Sequence, residues 1–323
     1  MSTRQPTRDD KFTFGLWTRV TSVLCWAGAL CYLHRGQMTL FGQDTMQTIL
    51  LTYLMIGPSG AALSVDALRK RYRAAKALMG SGGKAVPWAA AALAGPSRTW
   101  LANFAVRLFQ INFCLIYASS GVSKLKGTTW WEHSAAWLIL ANPEFGLIRY
   151  PVFESLLRTL VESRVLIGII AGSVTLYTLV VELGFPFLVW TRMRPVMVVM
   201  SILLHTGIAI LMGLTVFGLY MFALVLCYFP SRLIRERVCV TPGGGRKMTL
   251  RYDGKDPAAV RTAARVMALD LAGQVTFVDT AGKATGAHLT DPDGKDRTGR
   301  DLARTALREL SLLKPVRFLA AVV

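Results

Sequence analysis

Three of the ionisable side chains that lie in or directly beside long apolar segments are candidates for chemistry, because a charge is costly there and usually serves a function. The first, Lys124, follows the apolar stretch from Leu101 to Gly121. If its amine is desolvated there, the ammonium form is penalised and the amine can accept a proton near neutral pH. A lysine at a helix end can instead extend its amine to the lipid headgroups. The sequence leaves both interpretations of Lys124 open.

Glu182 and His205 are the other two ionisable residues in apolar surroundings. Glu182 lies within the apolar segment from Val165 to Trp190, and His205 lies within the segment from Val196 to Met212. A carboxylate at membrane depth is a polar latch between helices, or else a proton acceptor or an orienting partner for a base. A histidine there either hydrogen-bonds a neighbouring helix or transfers protons and binds a polar ligand. Lys124, Glu182 and His205 are therefore the candidate catalytic residues.

Aromatic and histidine residues near Lys124 indicate what else such a site could bind. Trp130, Trp131 and Trp137 are typical of an aromatic belt at a membrane interface, or they could stack on a flat apolar ring. His133 and the other histidines lack a metal-ligand spacing such as HExxH, so we expect no metal site. The five cysteines form no CxxC pair, and we interpret them as small buried hydrophobic residues rather than disulfide partners or metal ligands.

The composition indicates the kind of chain that positions these residues. Of 323 residues, 53% are hydrophobic and only 17% are charged, against about 25% charged in a typical soluble domain. This argues against an ordinary soluble enzyme or a disordered chain and favours a membrane protein. The net charge of +18 would by itself suggest nucleic acid. Because the chain has apolar segments of membrane length, we assign the excess to topology and to contact with membrane lipid, and expect no nucleic-acid partner.

Apolar segments long enough to span a bilayer are the main structural signal in residues 1–230. A helix needs about 20 mostly apolar residues to span a bilayer. Gly57, Pro58 and Gly60 lie inside the second segment, where we expect a kinked helix. The sequence predicts an all-α polytopic membrane bundle of about six transmembrane helices, at Leu16–Leu33, Met46–Ala67, Leu101–Gly121, Val165–Trp190, Val196–Met212 and Thr215–Phe229.

Basic residues in the connecting segments predict the orientation. They precede the first segment, follow the second, and recur after the fourth and the sixth. Six spans place all four groups on one side, which the positive-inside rule makes cytoplasmic. The protein is then a multi-pass cell-membrane protein with both termini in the cytoplasm. Residues 122–164 lie outside, although they carry five basic residues.

The chain after residue 230 has a different pattern. Residues 231–246 are predicted to be a linker, because the sequence TPGGGR at their end is rich in glycine and proline. Residues 247–323 alternate strand and helix patterns and predict a small cytoplasmic α/β domain. We expect strands at Met248–Tyr252 and Val275–Val278 and helices at Ala258–Leu269 and Asp301–Leu313. Thr280–Arg300 is expected to be a loop.

Two stretches of the membrane part resemble the HTTM domain, which is the membrane domain shared with vitamin K-dependent γ-carboxylases. The stretches are Trp100–Trp130 and Leu179–Pro230. The residues that carry the resemblance are Val106, Arg107, Gln110, Tyr117, Gly121, Lys124, Leu125 and Trp130 in the first stretch, and Glu182, His205, Met212, Gly213, Leu214 and Phe217 in the second.

This resemblance implies a role for each candidate residue. Lys124 matches the lysine that acts as base on reduced vitamin K, with oxygen as co-substrate, and carbon dioxide as a second one if a glutamate is carboxylated. His205 matches a histidine of the active-site region, and Glu182 lies at an acidic position. The residues that we take to bind a reduced vitamin K-like quinone are Trp130, Tyr117 and His133.

The chain departs from the carboxylases in two places. Ser123 precedes Lys124, where the carboxylases have a second lysine. The residues after Phe229 do not match the large extra-cytoplasmic part that holds the substrate's propeptide. The resemblance therefore implies the fold and the pocket more strongly than the carboxylation.

The tail resembles a second family. Leu250–Ala259, with the sequence LRYDGKDPAA, is similar to the YDGxCxxC start of DCC-type thiol-disulfide oxidoreductases, which have a thioredoxin-like fold, and Ala268–Asp279 fits the continuation. Asp256 and Ala259 occupy the two cysteine positions. Dithiol exchange needs a thiolate and a resolving thiol, so the resemblance implies a redox-inactive thioredoxin-like domain that serves binding or stability.

Two functions from different classes follow. The first is a membrane enzyme that resembles vitamin K-dependent γ-carboxylase and uses Lys124 in quinol oxidation or epoxidation, with or without glutamate carboxylation. The alternative is a non-catalytic membrane protein that binds a lipid or isoprenoid and docks a protein partner through its tail. A transporter ranks last, because the sequence has no internal repeat.

Overall fold

A computed structural model describes most of the chain. It covers residues 15–36, 42–62, 64–81, 85–94, 99–142, 150–229, 247–271, 273–282, 286–291 and 293–310, except the side chains of 308 and 309. The predicted linker 231–246, Cys239 and the end of the last predicted helix lie outside the described residues. The protein is mostly helical, with three candidate membrane spans and a small C-terminal four-stranded mixed sheet with helices.

The chain divides into two compact units, Met1–Ala102 with Pro230–Val323, and Asn103–Phe229. The N-terminal helices therefore group with the C-terminal sheet. Domain boundaries at residues 230 and 246 stay a prediction from the sequence.

The first unit begins with a helical hairpin of α1 (Thr18–Arg35) and α2 (Gly42–Ile56). The Trp26 indole donates a hydrogen bond to Thr52 Oγ1 at 3.0 Å, which joins the two helices. The second apolar segment was expected to be one kinked helix as far as Ala67, and this is wrong. The helix ends at Ile56 and a turn follows, because Pro58 has no backbone N–H to continue the helical ladder.

Two helices follow the hairpin, α3 (Val65–Gly80) and α4 (Pro87–Leu93). Ser64 caps α3 by accepting a hydrogen bond from the Ala67 amide at 3.0 Å. Asp66, in the first turn of α3, accepts hydrogen bonds from the Trp17 and Thr18 amides and from the Thr18 hydroxyl. Burial alone would raise the pKa of Asp66, but these hydrogen bonds hold it below its usual value. The start of α3 is thus fixed to the start of α1.

The C-terminal part of this unit contains β1 (Met248–Tyr252), α12 (Pro257–Leu269), β2 (Val275–Asp279), β3 (Ala287–Thr290), β4 (Asp296–Arg297) and α13 (Gly299–Leu310). The sheet order is β2-β1-β3-β4; β1 and β2 are parallel, and β3 is antiparallel to both β1 and β4. Its core is apolar and includes Leu250, Leu289 and Leu302. The predicted strands at 248 and 275 and the helix at 258 are confirmed within a residue.

The loop expected at Thr280–Arg300 is wrong in part, because it contains β3 and β4. These strands are only four and two residues long, and the residues between them are polar, so the sequence showed no strand pattern here. The turn residues Asp291–Gly294 (DPDG) are a typical hairpin signal. Asp291 also accepts hydrogen bonds from the amides of Asp293 and Lys295.

An arginine buried inside the first unit joins α3 and α4 to α12. Arg71 is only 7% exposed. Its guanidinium donates to the carbonyls of Ala268 (2.8 Å) and Asp270 (2.9 Å) and to that of Leu93. A planar fork of five N–H groups suits this three-way contact. The α3–α4 segment therefore packs on the C-terminal sheet domain.

The second unit is helical throughout its described residues. It contains α5 (Trp100–Lys126, which begins in the first unit), α6 (Thr128–Trp131), α7 (Ser134–Leu140), α8 (Pro151–Glu162), α9 (Arg164–Leu188), α10 (Arg194–Leu211) and α11 (Thr215–Val225, continued by a 3₁₀ turn to Tyr228). Phe113, Phe185 and Tyr228 pack in its core with ring centroids 5.1 to 5.8 Å apart.

Three helices, α5, α9 and α10, are long and apolar enough to cross a membrane, which suggests a multi-pass membrane protein. The apolar helix Thr215–Tyr228 is shorter than 18 residues. Of the remaining predicted spans, α1 is not among the three candidates and α2 is 15 residues long. A count of six stays a prediction.

Candidate functional site

The site is built on one face of α5, which carries Tyr117, Ser120, Gly121 and Lys124. Residues three, four and seven apart lie on the same face of a helix. Tyr117 and Gly121 are buried, and Lys124 is half-buried in the last turn. This face meets α9 and α10 through contacts that join residues far apart in the sequence.

Lys124 forms an ion pair with Glu182 of α9. The ammonium Nζ lies 2.8 Å from Oε1 and 2.7 Å from Oε2 of the carboxylate. It also donates to Ser120 Oγ at 2.7 Å. The side chains of Lys124 and Glu182 are 20% and 11% exposed, so the pair is largely withdrawn from solvent. Glu182 is therefore a direct partner of Lys124, as both sequence interpretations of this carboxylate allowed.

Gly121 explains why α5 and α9 come close enough for this contact. A Cβ atom at position 121 would lie 2.7 Å from Leu183 Cδ2 and 3.3 Å from Glu182 Cβ. A side chain at position 121 would therefore require the Leu183 side chain or α9 to move, whereas glycine fits without any shift. Small residues allow the same close approach between membrane helices in general.

Trp130 covers the amine of Lys124. The Nζ atom lies 5.2 Å from the centroid of the Trp130 ring, within the range of a cation–π contact. Trp130 belongs to the short helix α6, which follows α5 after Gly127. Lys124 thus contacts a carboxylate, a hydroxyl and an aromatic face. Whether this amine accepts protons, as one of the two sequence interpretations of Lys124 has it, stays a prediction.

Tyr117, Ser201 and His205 form a second polar cluster, between α5 and α10. Tyr117 Oη lies 2.7 Å from Ser201 Oγ and 2.8 Å from His205 Nε2. All three residues are buried; Ser201 is fully so. The ring of His205 is flanked by Tyr117 and Phe217, each in an edge-to-face orientation. The sequence prediction grouped Tyr117 with the cofactor and His205 with catalysis, and the structure places the two side chains in contact.

The other ring nitrogen of His205 has no partner. Nδ1 is buried and makes no hydrogen bond to any described residue. Either it carries a proton that it cannot donate, or it has a lone pair that accepts nothing, depending on the tautomer. A buried unsatisfied polar atom in a native fold calls for an explanation such as a water or a ligand.

His133 does not join these clusters. It is exposed and immediately precedes α7, with a φ of 57°. Within the described part of the chain, no hydrogen bond or ring contact of the two clusters involves His133. Among the six residues selected from the sequence, five lie in the two clusters on α5 and its neighbours.

Ser201 was not among the residues selected from the sequence. It lies four residues before His205 on α10, a spacing that puts both on one helix face, and this was the available signal. A separate groove of about 530 Å³ between α7 and α8 is lined by none of the six selected residues; it is lined by Trp137, Ala141, Glu154, Leu157, Arg158, Val161 and Glu162. Among the described residues, no group of three or more His, Cys, Asp or Glu could hold a metal ion.

Comparison of the chain with protein-family models, with curated proteins and with solved structures found no match.

Proposed function

We propose that the protein is a multi-pass membrane protein that accepts a proton from a reduced quinone at the Lys124–Glu182 pair, in the manner of the vitamin K-dependent carboxylases that its sequence resembles. The observation that carries this proposal is the position of the pair on the same face of α5 as Tyr117, which contacts His205. The amine of the pair and the Tyr117 hydroxyl, which contacts His205 Nε2, then lie along one face of α5, and His205 Nδ1 has no hydrogen-bond partner among the described residues.

The pair, rather than the lysine alone, is the proton acceptor in this proposal. In the ion-paired form the carboxylate of Glu182 has lone pairs and the ammonium of Lys124 neutralises its charge. The O–H bond of the ligand breaks and its proton bonds to a carboxylate oxygen of Glu182, while the positive charge of Lys124 can stabilise the oxyanion left on the ligand. Ser120 and Trp130 hold the ammonium in place through a hydrogen bond and a cation–π contact.

The residues of the two clusters suit the chemistry of a quinone ring. Aromatic and apolar side chains suit its flat face, and His205 Nδ1 could hydrogen-bond one of its oxygens. When bound, a reduced naphthoquinone supplies acidic hydroxyl groups and the electrons that oxygen would take, and carbon dioxide would enter only if a glutamate is carboxylated. Trp130 and Tyr117 stay in the proposed binding set. His133 is proposed only as a residue of the outer surface.

The test uses the full-length protein in lipid nanodiscs, supplied with chemically reduced naphthoquinone and oxygen. Lys124→Met together with Glu182→Leu removes both charges, so that neither is left buried alone. We expect this double variant to lose at least about 100-fold in quinol-dependent turnover, since a positioned acid–base group contributes about that much or more. Lys126→Met, two residues further along and exposed, is the matched control and should keep full turnover. Equal turnover in the double variant and the parent contradicts the proposal.

The second candidate function is a non-catalytic membrane protein that binds a lipid or isoprenoid. It is favoured by one observation: Gly121 and the direct Lys124–Glu182 contact also form a good structural latch between α5 and α9. Solvent extraction of the purified protein distinguishes the two. Co-purification of an isoprenoid without turnover supports the second candidate, whereas a co-purifying quinone together with turnover supports the first.

We propose that the tail is a redox-inactive thioredoxin-like domain that docks a protein partner. A parallel β1-α12-β2 unit followed by an antiparallel hairpin and a helix supports this class. At the position where the oxidoreductases have the first cysteine, Asp256 caps α12 and accepts hydrogen bonds from the Ala258 and Ala259 amides. A carboxylate thus takes the place that a thiolate would have at a helix N-terminus.

The packing within the first unit supports the proposed topology. Because α3 and α4 pack on α12 through Arg71, residues 65–94 and the tail must lie on one side of a membrane. The chain between them must then cross an even number of times. Three crossings by α5, α9 and α10 do not satisfy this, so we propose that α11 crosses as well. The basic residues of α3 make the shared side cytoplasmic.

A further inference from the structure

Helix α3 has an exposed basic face opposite the face that packs on α12. On a helical projection the basic side chains fall within about one third of the circumference, at the period of 3.6 residues per turn. The buried residues of the same helix are centred on the other side. The exposed basic residues are Arg69, Lys70, Arg73 and Lys76, and the buried ones are Arg71, Ala74 and Ala75.

This basic face faces little acidic charge among the described residues. None of its four side chains forms an ion pair with another described residue. The only carboxylate of α3 is Asp66, whose oxygens are occupied by hydrogen bonds from Trp17 and Thr18. Arg69 interacts electrostatically with Asp66, and the other three positive charges are presented to the surroundings.

The position of α3 indicates what those surroundings are. Asp66 fixes the first turn of α3 to the start of α1, beside Trp17, which is 63% exposed. A tryptophan at the end of an apolar helix is typical of the lipid–water interface. The α1–α2 hairpin carries an exposed apolar surface that includes Val20, Val23, Leu24, Tyr32, Ile49 and Ile56. Helix α3 therefore begins at the base of a hairpin whose outer surface suits lipid.

We propose that the basic face of α3, formed by Arg69, Lys70, Arg73 and Lys76, binds the headgroups of anionic phospholipids. Clustered basic residues directly after a membrane-inserted segment bind anionic leaflets through their charge. Since the opposite face of α3 holds α12 through Arg71, this contact keeps the tail domain against the cytoplasmic leaflet. The inference rests on the proposed membrane location and is independent of the quinone chemistry.

The test measures which lipids the full-length protein retains. The protein is reconstituted in vesicles of equal parts phosphatidylcholine and phosphatidylglycerol and extracted with its bound lipid, and the ratio of the two lipids is determined by mass spectrometry. We expect the lipid bound to the parent to be enriched in phosphatidylglycerol. In Arg69→Gln/Arg73→Gln this enrichment should fall by about fivefold for each arginine removed, because a basic group near an anionic surface contributes about 1 kcal/mol. The enrichment should also fall as salt is raised.

A matched variant removes the same charge elsewhere in the unit. Arg261 and Arg265 are exposed and four residues apart on α12, as Arg69 and Arg73 are on α3. Arg261→Gln/Arg265→Gln should retain the phosphatidylglycerol enrichment. An equal loss in both double variants, or no enrichment in the parent, overturns the proposal. The proposal is also overturned if the protein binds a short DNA duplex through Arg69 and Arg73 and the lipid ratio does not change when these two residues are replaced. Quinol turnover measured on the same samples shows separately whether the proposed function holds.

Discussion

At the scale of single residues, the contact between Lys124 and Glu182 is the most consequential one in the helical unit. Its two charges are largely shielded from water, and each is costly to leave there alone. Removal of one partner of a buried ion pair is therefore more damaging than removal of both. This asymmetry makes the pair testable by stability as well as by activity.

We expect Lys124→Met and Glu182→Leu each to lower the free energy of unfolding by about 3 kcal/mol, because each leaves an uncompensated charge. The double variant should lie within about 1 kcal/mol of the parent, so the two effects are far from additive. Unfolding in detergent micelles, followed by circular dichroism, measures all three variants. Additive losses would show that the two side chains do not interact.

Asp279 gives the tail a dependence on pH. Hydrogen bonds from the Ala281 and Gly254 amides hold the pKa of Asp279 below its usual value. The Asp279 carboxylate lies close against the backbone of Gly254, since a Cβ atom at position 254 would be 2.3 Å from Asp279 Oδ2. A carboxyl whose pKa is lowered by folding stabilises the fold above its unfolded pKa, and this contribution is lost as the pH falls through the folded value.

We therefore expect the tail to become less stable below about pH 4, where an unperturbed aspartate takes up its proton. Asp279→Asn should lower protection of the β1 and β2 amides at neutral pH and flatten the loss on acidification. Hydrogen exchange of the full-length protein across this pH range, compared with the parent chain, measures both effects. An unchanged acid profile in Asp279→Asn would assign the pH dependence to other groups, such as Asp291, whose pKa is also lowered.

At the scale of the elements, the close approach of α5 and α9 depends on Gly121. Gly121→Ala places a methyl group against Leu183. We expect the Leu183 side chain or α9 to shift and the protein to lose about 1–3 kcal/mol, which is typical of an overpacked interior. Gly172→Ala on α9 meets nothing within 4 Å and should be neutral or stabilising, because alanine favours a helix more than glycine does.

Thermal unfolding of the two alanine variants in the same detergent compares them directly. Equal behaviour at positions 121 and 172 would mean that α5 and α9 are not packed closely at Gly121. A loss of quinol turnover that accompanies the loss of stability in Gly121→Ala would connect the packing of these helices to the ion pair.

The elements also show what the sequence could and could not predict. Uniform apolar runs indicated α5, α9 and α10, and alternation indicated β1 and β2, because both signals are local. The β3–β4 hairpin was missed because its strands are too short to show a period. The contact of Lys124 with Glu182 was not predictable, since it joins residues 58 apart and depends on the packing at Gly121. The Tyr117–Ser201–His205 cluster likewise depends on how α5 meets α10.

At the scale of the whole molecule, the number of crossings follows from which parts pack together. Asp66 ties α3 to the start of α1, and Arg71 ties it to α12. If α1 and α2 cross the membrane, they must do so as a pair that returns the chain to its starting side. Between α4 and β1 the count must also be even, and if all three candidate spans cross, a crossing by α11, as proposed above, makes it even. A helix as short as Thr215–Tyr228 can cross where the bilayer thins locally.

The prediction is tested by labelling single cysteines in a full-length chain whose native cysteines are replaced by serine. Leu214→Cys, between α10 and α11, should react in intact cells with a maleimide that does not cross membranes. Lys70→Cys in α3 and Lys255→Cys in the tail should react only after permeabilisation. Because α3 packs on the tail domain, positions 70 and 255 must report the same side whichever side that is. Labelling of Leu214→Cys only after permeabilisation would remove the crossing by α11 and require that one of α5, α9 and α10 does not span the membrane.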